Sequence, residues 1–368
     1  MSGTLIGTRI KARREELGFS QEAVARHFGF NDRQTLSAIE TGERRVTAEE
    51  LLKAVEILAA PLDYFTDPFL LAGEGRFSWR QAGIAPKALD AYERDAGRLI
   101  AAFRTLGAQL GRQPPLLRRT LGLAKASSFE AAAAAGERFA ADFQLGPTPA
   151  LRLAEAMEQE LGILVLMVDA IPGVSGAACR LPELDAVLIN RDEVPGRRHY
   201  DLAHELFHVL TWDTMPPEHM EDTRVPIRGR VEQLADSFAS ALLMPAAALA
   251  LFGDWAGLGA QALVTKLNDT AEELGVTAVA LKWRLVGTGR LPKAAAQAID
   301  DAKLRHNVRP DAPRAVPPLF SRAFAEVLAQ ALDAGRISAR RAASLLGLAV
   351  DDLAEVFAAH GIAVGVGV

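Results

Sequence analysis

Two histidines four residues apart bracket a glutamate in His204-Glu205-Leu206-Phe207-His208, and this spacing constrains the chain more than any other feature. Four residues along an α-helix leave two side chains on one face, about 40° apart, so His204 and His208 can grip one ion together. Leu202, Leu206, Val209 and Leu210 add an apolar stripe and Phe207 a further large group, which predicts a buried helix over 198–212. Glu205 falls on the same general side. The motif is short enough to arise by chance, so its surroundings decide how it is read.

Those surroundings favour a metal site. Ile163–Val168 and Ala186–Asn190 read as buried strands ahead of the helix. A catalytic zinc takes three protein ligands and keeps a fourth position open. A second helix, 230–244, opens with Glu232 and Asp236 four apart on one face. Glu232 is the candidate third ligand. Asp236 is the candidate partner of a ligating imidazole, fixing its tautomer. Asp213 and His219 compete for the third position, and His219 is also a candidate for stabilising a transition state. Glu205 is placed to take a proton from a metal-activated water and pass it to a leaving amine. The bland alternative leaves the carboxylates on a solvated helix face.

The N-terminal segment is built differently. Short helical patterns over residues 4–66 break at Gly18, Gly29 and Gly42, as in a compact all-helical domain. Ser20 is an N-cap for the helix starting Gln21-Glu22-Ala23-Val24-Ala25. The turn Gly29-Phe30-Asn31 then leads into Asp32–Glu40. Arg33, Gln34, Thr35 and Ser37 fall at the start of that last helix, where base edges are reached; Gln21, Arg44 and Arg45 are candidates for phosphate contacts. Residues 1–66 hold nine Lys/Arg against ten Asp/Glu, so nonspecific affinity for DNA should be weak. Protein contact or dimerisation is the competing use.

Two resemblances sharpen these readings. The stretch Phe19–Ala25 with the Ile39-Glu40-Thr41-Gly42 close resembles the XRE-type helix-turn-helix, with a turn one residue longer than usual. HELFHVL, followed by EQLADSFASALLMP, resembles the ImmA/IrrE metallopeptidases, matching at His204, Glu205, His208, Glu232, Ala235, Asp236, Phe238, Ala239, Leu242, Leu243, Met244 and Pro245. SGAACRLPELDAVLIN and ELGVTAVALKWRL fit the family's flanking strand and helix, so the resemblance spans about residues 128–292. It implies one zinc per chain held by His204, His208 and Glu232, with Glu205 as general base. It also implies substrates that are often helix-turn-helix repressors, cleaved in stress or mobile-element responses. Phe207 stands where the family often has glycine, and its bulk is expected to narrow the cleft.

The expected fold is multidomain and mainly α. An all-α helix-turn-helix domain (1–72) precedes a helical connector (73–127). An α+β zincin-like metallopeptidase domain with a small sheet follows (128–306), then a proline-rich linker and C-terminal helical domain (307–368). Residues 73–86 carry Gly73, Gly75 and Gly83 and read as exposed backbone; the tail 335–357 has a second helix-turn-helix look, read as a packing or regulatory element. Hydrophobic residues at 49%, charged residues at 24% and a net charge of −5 fit a folded protein without a global basic field. The single Cys179 excludes a disulfide framework and a cysteine-rich zinc site. No apolar core of signal-peptide length opens the chain and no membrane-length run occurs, so a cytoplasmic location is expected.

Function then has three candidate forms. The leading one is a site-specific zinc endopeptidase coupled to transcriptional control, with a protein substrate, an operator DNA and a possible homodimer as partners. The second is a DNA-binding regulator whose metal site is a sensor or relic. The third is a phage-defence or toxin–antitoxin protease. In the leading form the helix-turn-helix recruits the enzyme, and a peptide adds to the edge of the sheet containing strand 186–190.

Overall fold

The computed structural model describes residues 2–112, 118–224, 229–305 and 316–363. The Pro114-Pro115 break lies outside these, as does the proline-rich linker apart from residues 316–318. Five helices form the N-terminal unit: α1 (Ser2–Glu16), α2 (Gln21–Phe28), α3 (Arg33–Glu40), α4 (Ala48–Ile57) and α5 (Leu62–Thr66). The side chains that start them are local. Ser20 accepts from the Ala23 amide and Asp32 from the Thr35 amide, while Thr47 and Glu50 form a reciprocal capping box. Ile10, Val24, Phe28, Leu36, Ile39, Leu58 and Phe65 close its core. Within it, Arg14 makes a forked ion pair to the buried Glu40, at 2.6 and 3.0 Å.

Residues 73–127 are not simply a helical connector. Arg76–Gln81 is a strand, β1, and α6 (Pro86–Gln109) follows it. Then come α7 (Phe129–Asp142), α8 (Leu153–Gln159), β2 (Leu164–Val168), β3 (Val174–Arg180), β4 (Asp185–Asn190), α9 (Pro195–Thr211), β5 (Met220–Asp222) and α10 (Arg230–Leu243). Short α11 (Ala246–Ala250), α12 (Ala260–Leu274), α13 (Ala278–Gly287) and short α14 (Lys293–Gln297) continue the chain, and α15 (Arg322–Asp333), α16 (Ala339–Leu346) and α17 (Asp352–Ala359) end it. The sheet order is β2-β4-β3-β1-β5. β1 runs antiparallel to β3 with Arg80 opposite Gly176, and parallel to β5 with Arg80 opposite Glu221; the β1–β3 register shifts between Arg80 and Gln81. Strand 185–190 is therefore interior, paired to β2 and β3, and the edges of the sheet are β2 and β5.

Both faces of the sheet are covered, which is why its strands read as nearly continuous apolar runs. Side chains alternate between two cores. Val165, Ala178, Val187 and Ile189 pack with α7, α9, α10, α12 and α13. Phe77, Trp79, Leu164, Leu166, Ala177, Cys179 and Leu188 pack with α6 and α15–α17. The C-terminal helices thus share a core with the sheet, because its second face would otherwise present these residues to water. Among the described residues no helix is long and apolar enough to cross a membrane.

The N-terminal unit is tied to this body through Arg9. Its guanidinium is fully buried, pairing with Glu74 at 3.0 Å and donating to the carbonyls of Tyr64, Asp67 and Leu70. Glu74 stands two residues ahead of β1.

Two predictions follow from packing. A Cβ on Gly136 would lie 2.4 Å from the Phe238 carbonyl oxygen and 2.9 Å from the Leu242 amide nitrogen, so α7 can press on α10 only with glycine there. Gly136→Ala should cost about 1–3 kcal/mol in urea unfolding. Glu158 lies where α8 meets β2 and the start of α15, accepting from the Val165 amide at 3.2 Å; burial pushes its carboxyl up to about 7. A carboxyl raised in the folded state stabilises when protonated, fully so below its ordinary value, and that contribution is lost as pH rises through about 7. Melting temperature measured from pH 5 to pH 8 should therefore fall more steeply in the wild type than in Glu158→Gln.

Candidate metal centre

α9 starts with Pro195 at its first turn, where a missing amide proton costs nothing. It is enclosed between β3, β4 and α10, so even its polar residues are buried: His204, Glu205 and His208 are each at most 1% exposed. α10 crosses it and supplies Glu232. The His204 Nε2, His208 Nε2 and Glu232 Oε2 atoms lie 3.0, 3.2 and 3.3 Å from one another. Ligands around one tetrahedral zinc are separated by about 3.3 Å when the bonds are about 2.0–2.1 Å. Three lone-pair atoms converge here in a buried place, and a cation satisfies all of them. The set fits a divalent metal of zinc size.

Supporting contacts surround the set. Asp236 Oδ1 lies 3.2 Å from His204 Nδ1, and the Tyr200 hydroxyl donates to the same carboxylate at 3.1 Å. An Nδ1–H held by Asp236 turns the Nε2 lone pair toward the ligand cluster. Burial alone would raise the Glu232 carboxyl, but hydrogen bonds to both imidazoles hold it well below its ordinary value. Glu205 is different. Burial pushes its carboxyl up to about 7, and its Oε2 is a buried atom with no hydrogen-bond partner among the described residues. Gly176 lies beside it in β3: a Cβ there would meet Glu205 Cγ only at ordinary contact distance, 3.7 Å, but would crowd the Leu188 carbonyl oxygen of β4 at 2.9 Å.

Other expected residues fall elsewhere. Asp213 is exposed and paired with Arg180 at 3.0 Å, on the surface. His219 turns to Glu93 of α6 at 2.7 Å, beside the Trp79 indole that donates to the same carboxylate. That is the sheet face opposite α9, so neither residue joins the ligand set. Phe207 is fully buried against Phe238 with ring centroids 5.6 Å apart, so its bulk fills the core rather than narrowing a cleft.

Three residues at the centre escaped the sequence reading. Arg80 of β1 places Nη1 3.1 Å from His204 Nε2; Asp201 pairs with its Nε at 3.0 Å, and Glu221 of β5 with Nη1 at 2.9 Å. Burial would lower the Arg80 pKa, but Asp201 and Glu221 reverse this and hold it above the usual value. The signal was present in Arg76-Phe77-Ser78-Trp79-Arg80-Gln81, where apolar and polar residues alternate with the period of a strand.

In the N-terminal unit, Arg33, Gln34 and Arg45 are exposed. Thr35 is engaged by the Asp32 cap and Ser37 is half-buried. Gln21 instead donates to Glu40 at 2.8 Å, and Arg44 forks onto Glu50 at 2.8 and 3.0 Å. As the chain stands, these two serve internal contacts rather than facing a phosphate.

Comparison with known proteins agrees with this division. The helix-turn-helix family profile matches residues 10–65, and the M78 peptidase profile, described as the IrrE N-terminal-like domain, matches residues 159–286. An "Uncharacterized transcriptional regulator in ATPase CF(0) region" from Rhodospirillum rubrum is 37% identical over 60 residues, 16% of this chain and 55% of that protein. The chain thus covers about half the length of this relative. No solved structure matches. The chain is a fusion of an N-terminal helix-turn-helix domain of the XRE type with an IrrE-like domain of the M78 peptidase family.

Proposed function

We propose that this chain is a zinc-dependent, site-specific endopeptidase coupled to transcriptional regulation, acting on a repressor or another regulatory protein. The observation that carries the reading is the buried His204–His208–Glu232 cluster beside Glu205, whose buried Oε2 has no hydrogen-bond partner among the described residues. Zinc held by the three ligands would supply the Lewis acidity that brings a water's pKa near 7 and polarises a carbonyl. Glu205 takes the proton from the attacking water and returns it to the leaving amine nitrogen. Asp236 keeps His204 in the tautomer that ligates. The enclosing helices limit bulk water at the site, which strengthens every charge interaction there. The edge strand nearest the centre is β5, which carries Glu221; an extended peptide laid along it would pass the ligand cluster.

One zinc per chain is expected by metal analysis, lost in a His204→Ala/His208→Ala double variant. Glu232→Ala should weaken zinc, and Asp236→Ala should weaken it by about 10–100-fold. Glu205→Gln should keep the metal while cleavage falls at least ~10²-fold. The functional reading is tested by co-expressing candidate helix-turn-helix repressors and comparing new protein termini by mass spectrometry in the wild type and Glu205→Gln. Identical termini in both would sink it.

The helix-turn-helix side has its own test. Arg33 and Gln34 at the start of α3, and Arg45 after it, are exposed, which supports base-edge contacts by the first two and a phosphate contact by the third. Alanine at Arg33 or Gln34 should cost about 1–3 kcal/mol on a specific operator. Alanine at Arg45 should lower affinity for all sequences alike. Gel shifts on the gene's own upstream region measure both, and unchanged binding in all three variants would favour a protein-contact role.

A further inference from the structure

We propose that Arg80 is a catalytic residue of this centre, its guanidinium holding the oxygen of the scissile carbonyl as that oxygen becomes negative. The inference rests on the endopeptidase reading and adds a residue that lies outside both matched segments, 10–65 and 159–286.

Placement is the first argument. β1 sets Arg80 opposite Gly176 on one side and Glu221 on the other, and turns its side chain toward α9. Nη1 ends 3.1 Å from His204 Nε2, so a permanent positive charge stands beside the atoms that would hold a second one. Two cations placed together in a buried site repel, which is costly unless an anion sits between them. Asp201 at 3.0 Å and Glu221 at 2.9 Å set carboxylates beside the guanidinium, yet its buried Nε makes no hydrogen bond, so this pairing does not fully account for its placement. Nη1 lies against the His204 Nε2 lone pair, at 3.1 Å, and a metal bound to that lone pair would leave the N–H in need of another acceptor. An oxygen that gains charge during the reaction provides one.

Chemistry is the second. Water's oxygen adds to the carbonyl carbon while Glu205 takes its proton, and the carbonyl π pair moves onto the oxygen. Arg80 N–H groups donate to that oxygen. The pair then returns, the C–N bond breaks, and the proton on Glu205 goes to the amine nitrogen. Fixed donors aimed where charge develops need no reorganisation during the step. Asp201, 2% exposed on its side chain, and Glu221 keep the guanidinium fixed. Among the described residues, the contacts of Arg80 run through Nε and Nη1. His219, the other basic candidate, is held by Glu93 on the opposite sheet face.

The test uses the full chain loaded with zinc, with methylphosphonate as a stable tetrahedral oxyanion titrated by calorimetry. Zinc affinity is measured in parallel by chelator competition. In Arg80→Met, zinc should remain at one per chain while phosphonate affinity falls about tenfold or more. Arg80→Lys should lose less. Asp201→Asn, which loosens the guanidinium without removing it, should also weaken phosphonate binding with zinc retained. On a cleaved substrate, Arg80→Met should lower kcat far more than it raises KM. Phosphonate affinity equal to wild type in Arg80→Met overturns the proposal, whether zinc binds as before or more tightly. If that variant does not fold, wild-type affinity in both Arg80→Lys and Asp201→Asn overturns it. Arg80-dependent phosphonate binding in a protein that cleaves nothing would support the oxyanion site and count against the endopeptidase reading.

Discussion

Everything at the centre depends on how closely α10 lies against α9. Glu232 and Asp236 reach the two nitrogens of one imidazole from positions four apart on α10, at 3.0 and 3.2 Å. That approach is backed by α7, which Gly136 allows to press its backbone against α10 from the other side. The close packing also makes the site expensive. Two imidazoles and several carboxylates are taken out of water, and such groups stay buried only when paired or bound to a cation. Arg80, Asp201, Tyr200 and Glu221 supply pairing around the ligand cluster, so packing and electrostatics are solved by the same few side chains.

Much of this was legible in the sequence, and the reason is locality. His204, Glu205 and His208 share one helix, and Glu232 and Asp236 another, so helical spacing alone predicts which atoms face together. Ser20 and Gly29 mark the bounds of α2 in the same local way. What could not be read depends on pairing across distance. β1 was hidden among glycines, and its partner β3, Val-Ser-Gly-Ala-Ala-Cys-Arg, is made of small residues with weak preference for a strand. Its identity as a strand comes from its place between β1 and β4, with which it pairs on both sides. β5 has three residues and no local pattern. Asp213 and His219 were reasonable ligand candidates by sequence distance, but Arg180 and Glu93 hold them elsewhere. Gln21 and Arg44 were plausible phosphate contacts by residue type, and the buried acids Glu40 and Glu50 claim them.

The same pairing redraws the organisation of the chain. Arg9 of α1 binds Glu74, two residues ahead of β1, and Arg341 of α16 binds Asp67 at 2.8 Å. The N-terminal unit, the strand that carries Arg80 and the C-terminal helices are therefore joined by charge contacts, a buried one at Arg9–Glu74 and an exposed one at Arg341–Asp67. The stretch between the helix-turn-helix and the sheet, read from its glycines as exposed backbone, has its ends fastened on both sides.

The alternation along β1 has a consequence of its own. Trp79 points into the apolar layer beneath α6, and Arg80, the next residue, points to the His204–His208–Glu232 cluster. A slip of the strand by a single position would exchange them, putting an indole against the imidazoles and an unpaired guanidinium into hydrocarbon. Both errors are so unfavourable that β1 has one alignment available to it. A six-residue segment outside the peptidase family's matched region thus acts as a key for the sheet, admitting one threading of the chain and refusing its nearest neighbours.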